Sequence, residues 1–285
     1  VKGKTRSRAT DPVLHPASYA STLRGLSSPP ITLLTDFGDA DYFVGSIKGV
    51  ILSVNPEATI VDVTHDVPPQ DIEAAAFTLL AGYQSFPAGT IHVAVVDPGV
   101  GSGRRPVVFQ AGSYLFVGPD NGIFSYICDR EPNVKTFHVT NDKYFRQPVS
   151  ATFHGRDIFA PVAAVLSLGV ELKEIGKEIS DPVRLKSVQP ERLKNGKLKG
   201  RIIHIDHFGN CITNITRDDF TEAGKLQIAG KTIKSFRRFF AEGGRDRLFG
   251  VWGSAGFLEI VANNTSAAEI LGIERGEGVV LSTKV

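Results

Sequence analysis

The chain has 285 residues with 32 Lys and Arg against 30 Asp and Glu, 42% hydrophobic and 22% charged. This is ordinary globular composition, in a length comfortable for two domains. A net charge of +2 excludes a nucleic-acid binder relying on a broad basic field, and no apolar run approaches a membrane span.

Residues 1–30 scatter Lys2, Lys4, Arg6, Arg8 and Arg24 among Ser, Thr and Pro, with Asp11 the only acid. They read as a disordered basic tail, with an organelle-targeting segment as the alternative. The first residue is Val1 and no methionine occurs, so a processed or missing start is expected. From Ile31 the pattern changes. Ile31 to Thr35 is a short apolar run, and Tyr42 to Val54 has helical spacing. Ala58 to Val63 is β-branched, Asp71 to Tyr83 is rich in Ala and Leu, and Thr90 to Val96 is again continuously apolar. Pro106 to Gln110 and Tyr114 to Val117 read as further strands, and Asp157 to Leu168 as a later helix. Strands apolar on both faces, alternating with helices, predict an α/β domain over residues 31–180 with a mostly parallel sheet. Residues 181–197 are polar, with Pro182 and Pro190, and read as a linker. Over 198–285, short strands at Gly200–Ile205, Leu226–Ile233, Gly256–Val261 and Gly278–Ser282 suggest a smaller β-barrel or sandwich. Cys128 and Cys211 lack metal-ligand spacing, so neither a disulfide scaffold nor a zinc site is expected, and a reducing, cytoplasmic compartment is the default.

Polar residues cluster where apolar strands run out, which is where open α/β sheets bind ligands. Asp36 follows the first strand and Asp97 follows the Thr90–Val96 strand; either could hold sugar hydroxyls or orient a base, or simply cap a turn. Asp97-Pro98-Gly99-Val100-Gly101-Ser102-Gly103-Arg104-Arg105 places three glycines in five residues before a guanidinium pair. It lacks the Lys-Ser/Thr ending of a P-loop. Thr35-Asp36-Phe37-Gly38 echoes a kinase triplet without the accompanying catalytic loop. His154 opens a helix in Phe153-His154-Gly155-Arg156-Asp157, where the dipole favours a neutral ring able to act as a base; a structural histidine is the alternative. Asp206-His207-Phe208-Gly209-Asn210 and Gly253-Ser254-Ala255-Gly256 are either inter-strand turns or ligand-binding loops. The residues alone therefore lead to a small-molecule site between an α/β and a β domain.

These motifs, with Asp62-Val63-Thr64-His65-Asp66, Pro68-Pro69-Gln70-Asp71 and Gly118-Pro119-Asp120-Asn121-Gly122, occur together and in order. In that order they resemble the S-adenosyl-L-methionine hydrolase family, also called SAM hydroxide adenosyltransferases, from about Ile31 to Val285. That family shares its fold with the bacterial fluorinase and chlorinase. The resemblance implies a seven-stranded α/β domain, a C-terminal β-barrel, and a homotrimer binding its substrate between one subunit's N-terminal domain and its neighbour's C-terminal domain. It implies hydrolysis of S-adenosyl-L-methionine to adenosine and L-methionine, with no metal or cofactor and with Asp97, Arg104 and His154 as catalytic residues. Asp36 would take the ribose hydroxyls, Asp206 the amino group and Asn210 the adenine edge. Phe240 would pack on adenine and Ser254 would bind the carboxylate. Ala255 stands where the halogenases carry arginine, and Asn263-Asn264-Thr265-Ser266 departs from the Gly-Asn-Ala-Ala expected of hydrolases. A tyrosine replaces Asp97 in the fluorinase. The competing expectations are a non-catalytic S-adenosylmethionine-binding protein and a halide-using adenosyltransferase. A methyltransferase is disfavoured, because no dinucleotide-like glycine loop follows the first strand.

Overall fold

The computed structural model describes residues 28–194, 196–219, 224–244 and 247–282. The expected basic tail lies, but for its last residues, outside them. In chain order the N-terminal part contains β1 (Ile31–Thr35), α1 (Phe43–Val54), β2 (Ile60–Thr64), α2 (Ile72–Gly82), β3 (Ile91–Val95), β4 (Pro106–Ala111) and β5 (Tyr114–Pro119). It continues through α3 (Ser125–Arg130), β6 (Lys135–Val139), a single π turn (Gly155–Phe159), α4 (Ala160–Ser167), α5 (Leu172–Ile175) and β7 (Gly176–Ile179).

These strands form one seven-stranded sheet in the order β2-β1-β3-β5-β4-β6-β7. β2, β1, β3 and β5 pair in parallel, and the antiparallel pairings beyond them reverse only β4 and β7. The sheet is therefore mostly parallel in direction. Successive side chains of a strand point to opposite faces. Leu33, Val93 and Val95 accordingly pack under α1 and α4, whereas Leu34, Ala94 and Val96 pack under α2 and α3. This two-sided burial is why β1 and β3 read as continuous apolar runs. α1 buries Val44, Ile47 and Ile51, each worth about 1.5–3 kcal/mol of transfer free energy. α2 starts at Asp71, whose carboxylate accepts the Ala74 N–H at 2.9 Å, a side-chain N-cap.

The C-terminal part contains β8 (Glu191–Arg192), β9 (Leu198–Ile205), β10 (Cys211–Thr216), β11 (Lys225–Ile228), β12 (Lys231–Ile233), β13 (Phe249–Trp252), β14 (Phe257–Val261), α6 (Ala267–Leu271) and β15 (Gly278–Ser282). The sheet order is β12-β11-β15-β9-β10-β14-β13, with β8 on β9. The chain just past β12 bridges back to β13, with Arg237 N–H donating to the Gly250 carbonyl at 2.8 Å and Gly250 N–H to that of Ser235 at 2.9 Å. That contact nearly closes the sheet into a barrel. The run Leu226–Ile233, expected as one strand, is a hairpin: Ala229 and Gly230 both take positive φ, 46° and 71°, and reverse the chain.

The barrel packs on α2. Phe77 stacks on His204 with ring centroids 4.7 Å apart and lies 6.0 Å from Phe257. Arg275 pairs with Asp71 at 2.6 Å, and Arg201 with Glu73 at 2.6 Å. Among the described residues no helix is long and apolar enough to cross a membrane.

Candidate active site

The parallel register sets Thr35 of β1 beside Val95 of β3. Asp36 and Asp97, just past those strands, therefore emerge at the same edge of the sheet. The glycine-rich segment after β3 doubles back against the chain preceding His154. Gly101 has φ +77°, and a Cβ there would sit 2.1 Å from the Ala151 carbonyl oxygen. Only glycine allows that approach.

The return brings Arg104 between Asp97 and His154. Its Nε donates to Asp97 Oδ2 at 2.9 Å, its Nη2 donates to the same carboxylate, and Nη2 lies 2.8 Å from His154 Nδ1. The Arg104 and Asp97 side chains are only 9% and 5% exposed. The guanidinium also lies over the Phe159 ring, 5.2 Å from its centroid, which adds a cation–π contact. Its Nη1 is buried and has no hydrogen-bond partner among the described residues. Removing either partner of such a buried pair costs on the order of 3–5 kcal/mol.

A guanidinium has no acceptor, so His154 Nδ1 must be the unprotonated nitrogen and Nε2 must carry the ring proton. Burial, followed by the Arg104 charge, holds His154 below the ordinary histidine value of 6.5. The neutral ring inferred from the sequence is thus present, but its cause is desolvation and Arg104. Its free group is a donor at Nε2. Asp97 touches Arg104 directly and reaches His154 only through it.

Asp157, which sequence reasoning does not single out, anchors this corner. It is fully buried and accepts from Arg156 Nε at 2.7 Å, Ser150 N–H at 2.9 Å and Arg146 Nη1 at 3.3 Å. Burial works to raise its pKa, but these donors outweigh that and hold it below the usual carboxylate range. Phe153 meets Phe37 at 6.0 Å and Phe43 at 5.2 Å, tying the His154 corner to the loop that carries Asp36. Asp36 itself accepts the Gln70 N–H at 2.8 Å. Arg105 is separated from its neighbour: it bonds Asp120 at 2.8 Å and Asp181 at 2.9 Å, joining the loop to the segment after β7.

Asp206 and Asn210 come together in a turn of the barrel. Asp206 accepts the backbone N–H groups of Phe208 and Asn210, each at 2.9 Å, and the Asn210 side-chain amide at 2.8 Å. Glu259 lies on the adjoining strand against Gly253, its carboxyl pushed up to about 7 by burial and by Asp206. Ser254 is exposed in the β13–β14 turn. Phe240 is 46% exposed at the start of the turn Phe240–Gly243. Among the described residues no hydrogen bond, ion pair or ring contact joins these four to Asp36, Asp97, Arg104 or His154. A cleft of about 490 Å³ between α3 and β10 contains none of the eight. No group of three or more His, Cys, Asp or Glu among the described residues is arranged to hold a metal ion.

Two family models match in tandem: the SAM hydroxide adenosyltransferase N-terminal domain over residues 31–176 and its C-terminal domain over 200–280. The chain belongs to the SAM hydroxide adenosyltransferase family. An (R)-S-adenosyl-L-methionine hydrolase from Thermus thermophilus is 37% identical over 259 residues, covering 88% of this chain and 99% of that protein. A fluorinase from an Actinoplanes species is 31% identical over 223 residues, covering 69% of this chain and 75% of its own. A crystal structure of an uncharacterised conserved protein from Thermotoga maritima superposes with a TM-score of 0.82 at 34% identity, covering 88% of this chain and 99% of that one.

Proposed function

We propose that this enzyme hydrolyses S-adenosyl-L-methionine to adenosine and L-methionine by in-line attack of water-derived oxygen on the 5′-carbon. The observation that carries this reading is Arg104, clamped by Asp97 and donating to His154 Nδ1. The sulfonium is already a good leaving group and needs no proton. What the protein must supply is a held and aligned oxygen nucleophile. Among the described residues His154 Nε2–H is a donor without a partner, suited to a lone pair of a water losing its proton, and the buried Arg104 guanidinium lies directly behind the ring. The guanidinium charge lowers that water's pKa. In this arrangement His154 stabilises the developing hydroxide by donation, and the proton the water gives up passes to solvent, so that cleavage of the sulfonium cation yields adenosine, methionine and one proton.

With His154 neutral, the charges of Asp97, Arg104 and His154 sum to zero. Such a group has no net attraction for a halide that must first shed its hydration shell, which favours water over the halogenase reaction. Asp36 would hold the ribose hydroxyls, Asp206 the amino group, Asn210 the adenine edge, Phe240 the adenine face and Ser254 the carboxylate. Because no hydrogen bond, ion pair or ring contact joins the N- and C-terminal groups among the described residues, we assign the complete site to the interface of a homotrimer, with no metal, cofactor or nucleic acid taking part.

Incubation of the full chain with S-adenosylmethionine and chromatography of the products tests the reading. Adenosine and methionine are expected, and His154→Ala should lower kcat by about 10²–10⁴-fold while still binding ligand. Intact ligand after long incubation would leave only a binding protein, and a 5′-halogenated adenosine formed in chloride or fluoride would make it a halogenase.

A further inference from the structure

The segment Asp62-Val63-Thr64-His65-Asp66 has no part in the chemistry above, yet it builds a chain of polar contacts ending at the Phe37 N–H, on the peptide that follows Asp36. His65 is 4% exposed and Thr35 fully buried. His65 Nδ1 lies 2.8 Å from Thr35 Oγ1, and its Nε2 lies 3.1 Å from Asp62 Oδ1 in a poorly aligned contact. Lys48 Nζ donates to Asp62 Oδ2 at 2.6 Å. Thr35 Oγ1 in turn accepts the Phe37 N–H at 3.3 Å. The same two segments are laced by backbone bonds, Gly38 N–H to the His65 carbonyl at 2.9 Å and Val67 N–H to the Thr35 carbonyl at 3.4 Å.

The proton positions follow from the partners. Lysine only donates, and a ring nitrogen facing a carboxylate carries the proton. Nε2 is therefore protonated and Nδ1 accepts the Thr35 hydroxyl hydrogen, which turns a Thr35 lone pair towards the Phe37 N–H. Every contact runs in one direction, from Phe37 back through Thr35 and His65 to Asp62. The order resembles a nucleophile–base–acid set, but a hydroxyl with no exposed surface cannot reach a substrate.

We propose that His65 is a positioning residue: it fixes the Thr35 rotamer, and through it the Phe37 peptide, so that the Asp36 carboxylate stands ready for the ribose hydroxyls. This rests on the assignment of Asp36 above. The test compares affinities of the full chain for adenosine and for the dideoxy analogue lacking both ribose hydroxyls, by calorimetry. A ratio of affinities does not depend on the fraction of protein folded. The wild-type chain should prefer adenosine by roughly tenfold or more, about the worth of one charge-assisted hydrogen bond. His65→Gln keeps an amide where Nε2 sits but loses Thr35, and Thr35→Val loses the hydroxyl; both should bring the ratio close to one. His65→Asn keeps an acceptor where Nδ1 sits and should retain the preference. In Asp36→Asn the ratio should already be collapsed, with no further change on adding His65→Gln. An unchanged ratio in His65→Gln or Thr35→Val, or equal ratios in the two His65 variants, would overturn the proposal. A wild-type chain without any preference would instead overturn the Asp36 assignment beneath it.

Discussion

A guanidinium offers five N–H donors and no acceptor, and Arg104 spends them on two very different neighbours. Two N–H groups, on Nε and Nη2, go to the Asp97 carboxylate and one, also on Nη2, to the His154 ring. The second fixes the tautomer and gives the site its pH dependence. The His154 pKa is depressed by burial and by Arg104, so the neutral, competent ring persists as pH falls through 6.5 and is lost only below it. The kcat/KM profile should therefore show its His154 limb on the acid side of 6.5; a limb at or above that value would contradict the tautomer assignment. Linkage has the same sign. The unfolded chain takes up this proton first, so His154 begins to favour unfolding as pH drops below 6.5 and does so fully below its folded value.

At the scale of elements, the strand ends were legible and the return loop was not. β1 and β3 announced themselves because both faces are buried, and Asp36 and Asp97 stood out because polar residues end those runs. Nothing in the spacing from Asp97 to His154 said that Arg104 would lie between them and Arg105 would leave for Asp120 and Asp181. That division depends on a long-range contact, the seating of Gly101 on Ala151. β6, β7, β8, β10 and β13 were missed too, as were the short helices α3, α5 and α6. β6 and β7 are half-exposed towards one end of the sheet, β10 is buried but interrupts its apolar run with Thr213 and Asn214, and β13 is only four residues long. Asp157 was hidden inside a quoted motif, since burial, not residue type, sets its role. Gly101→Ala tests the loop: positive φ and the clash with the Ala151 carbonyl should displace Arg104 and lower kcat by about tenfold or more, with a smaller effect on thermal stability. Wild-type kcat in this variant would show that the loop does not set Arg104.

For the whole molecule, the lack of any hydrogen bond, ion pair or ring contact, among the described residues, between Asp206, Asn210, Phe240 or Ser254 and Asp97, Arg104 or His154 is the main reason for proposing a site shared by an assembly. A shared site predicts complementation. Mixing His154→Ala with Asp206→Ala subunits, each inactive alone, should restore about a quarter of the sites, those pairing an intact N-terminal half with an intact neighbouring barrel. Mixtures as inactive as their parents would place all the residues in a single subunit. The proposed reaction makes water the nucleophile and the 5′-carbon its target. The most direct measurement is mass spectrometry of the products after turnover of S-adenosylmethionine in water carrying heavy oxygen. The label is expected at the 5′-oxygen of adenosine and none in methionine; unlabelled adenosine, or no adenosine, would overturn water as the nucleophile.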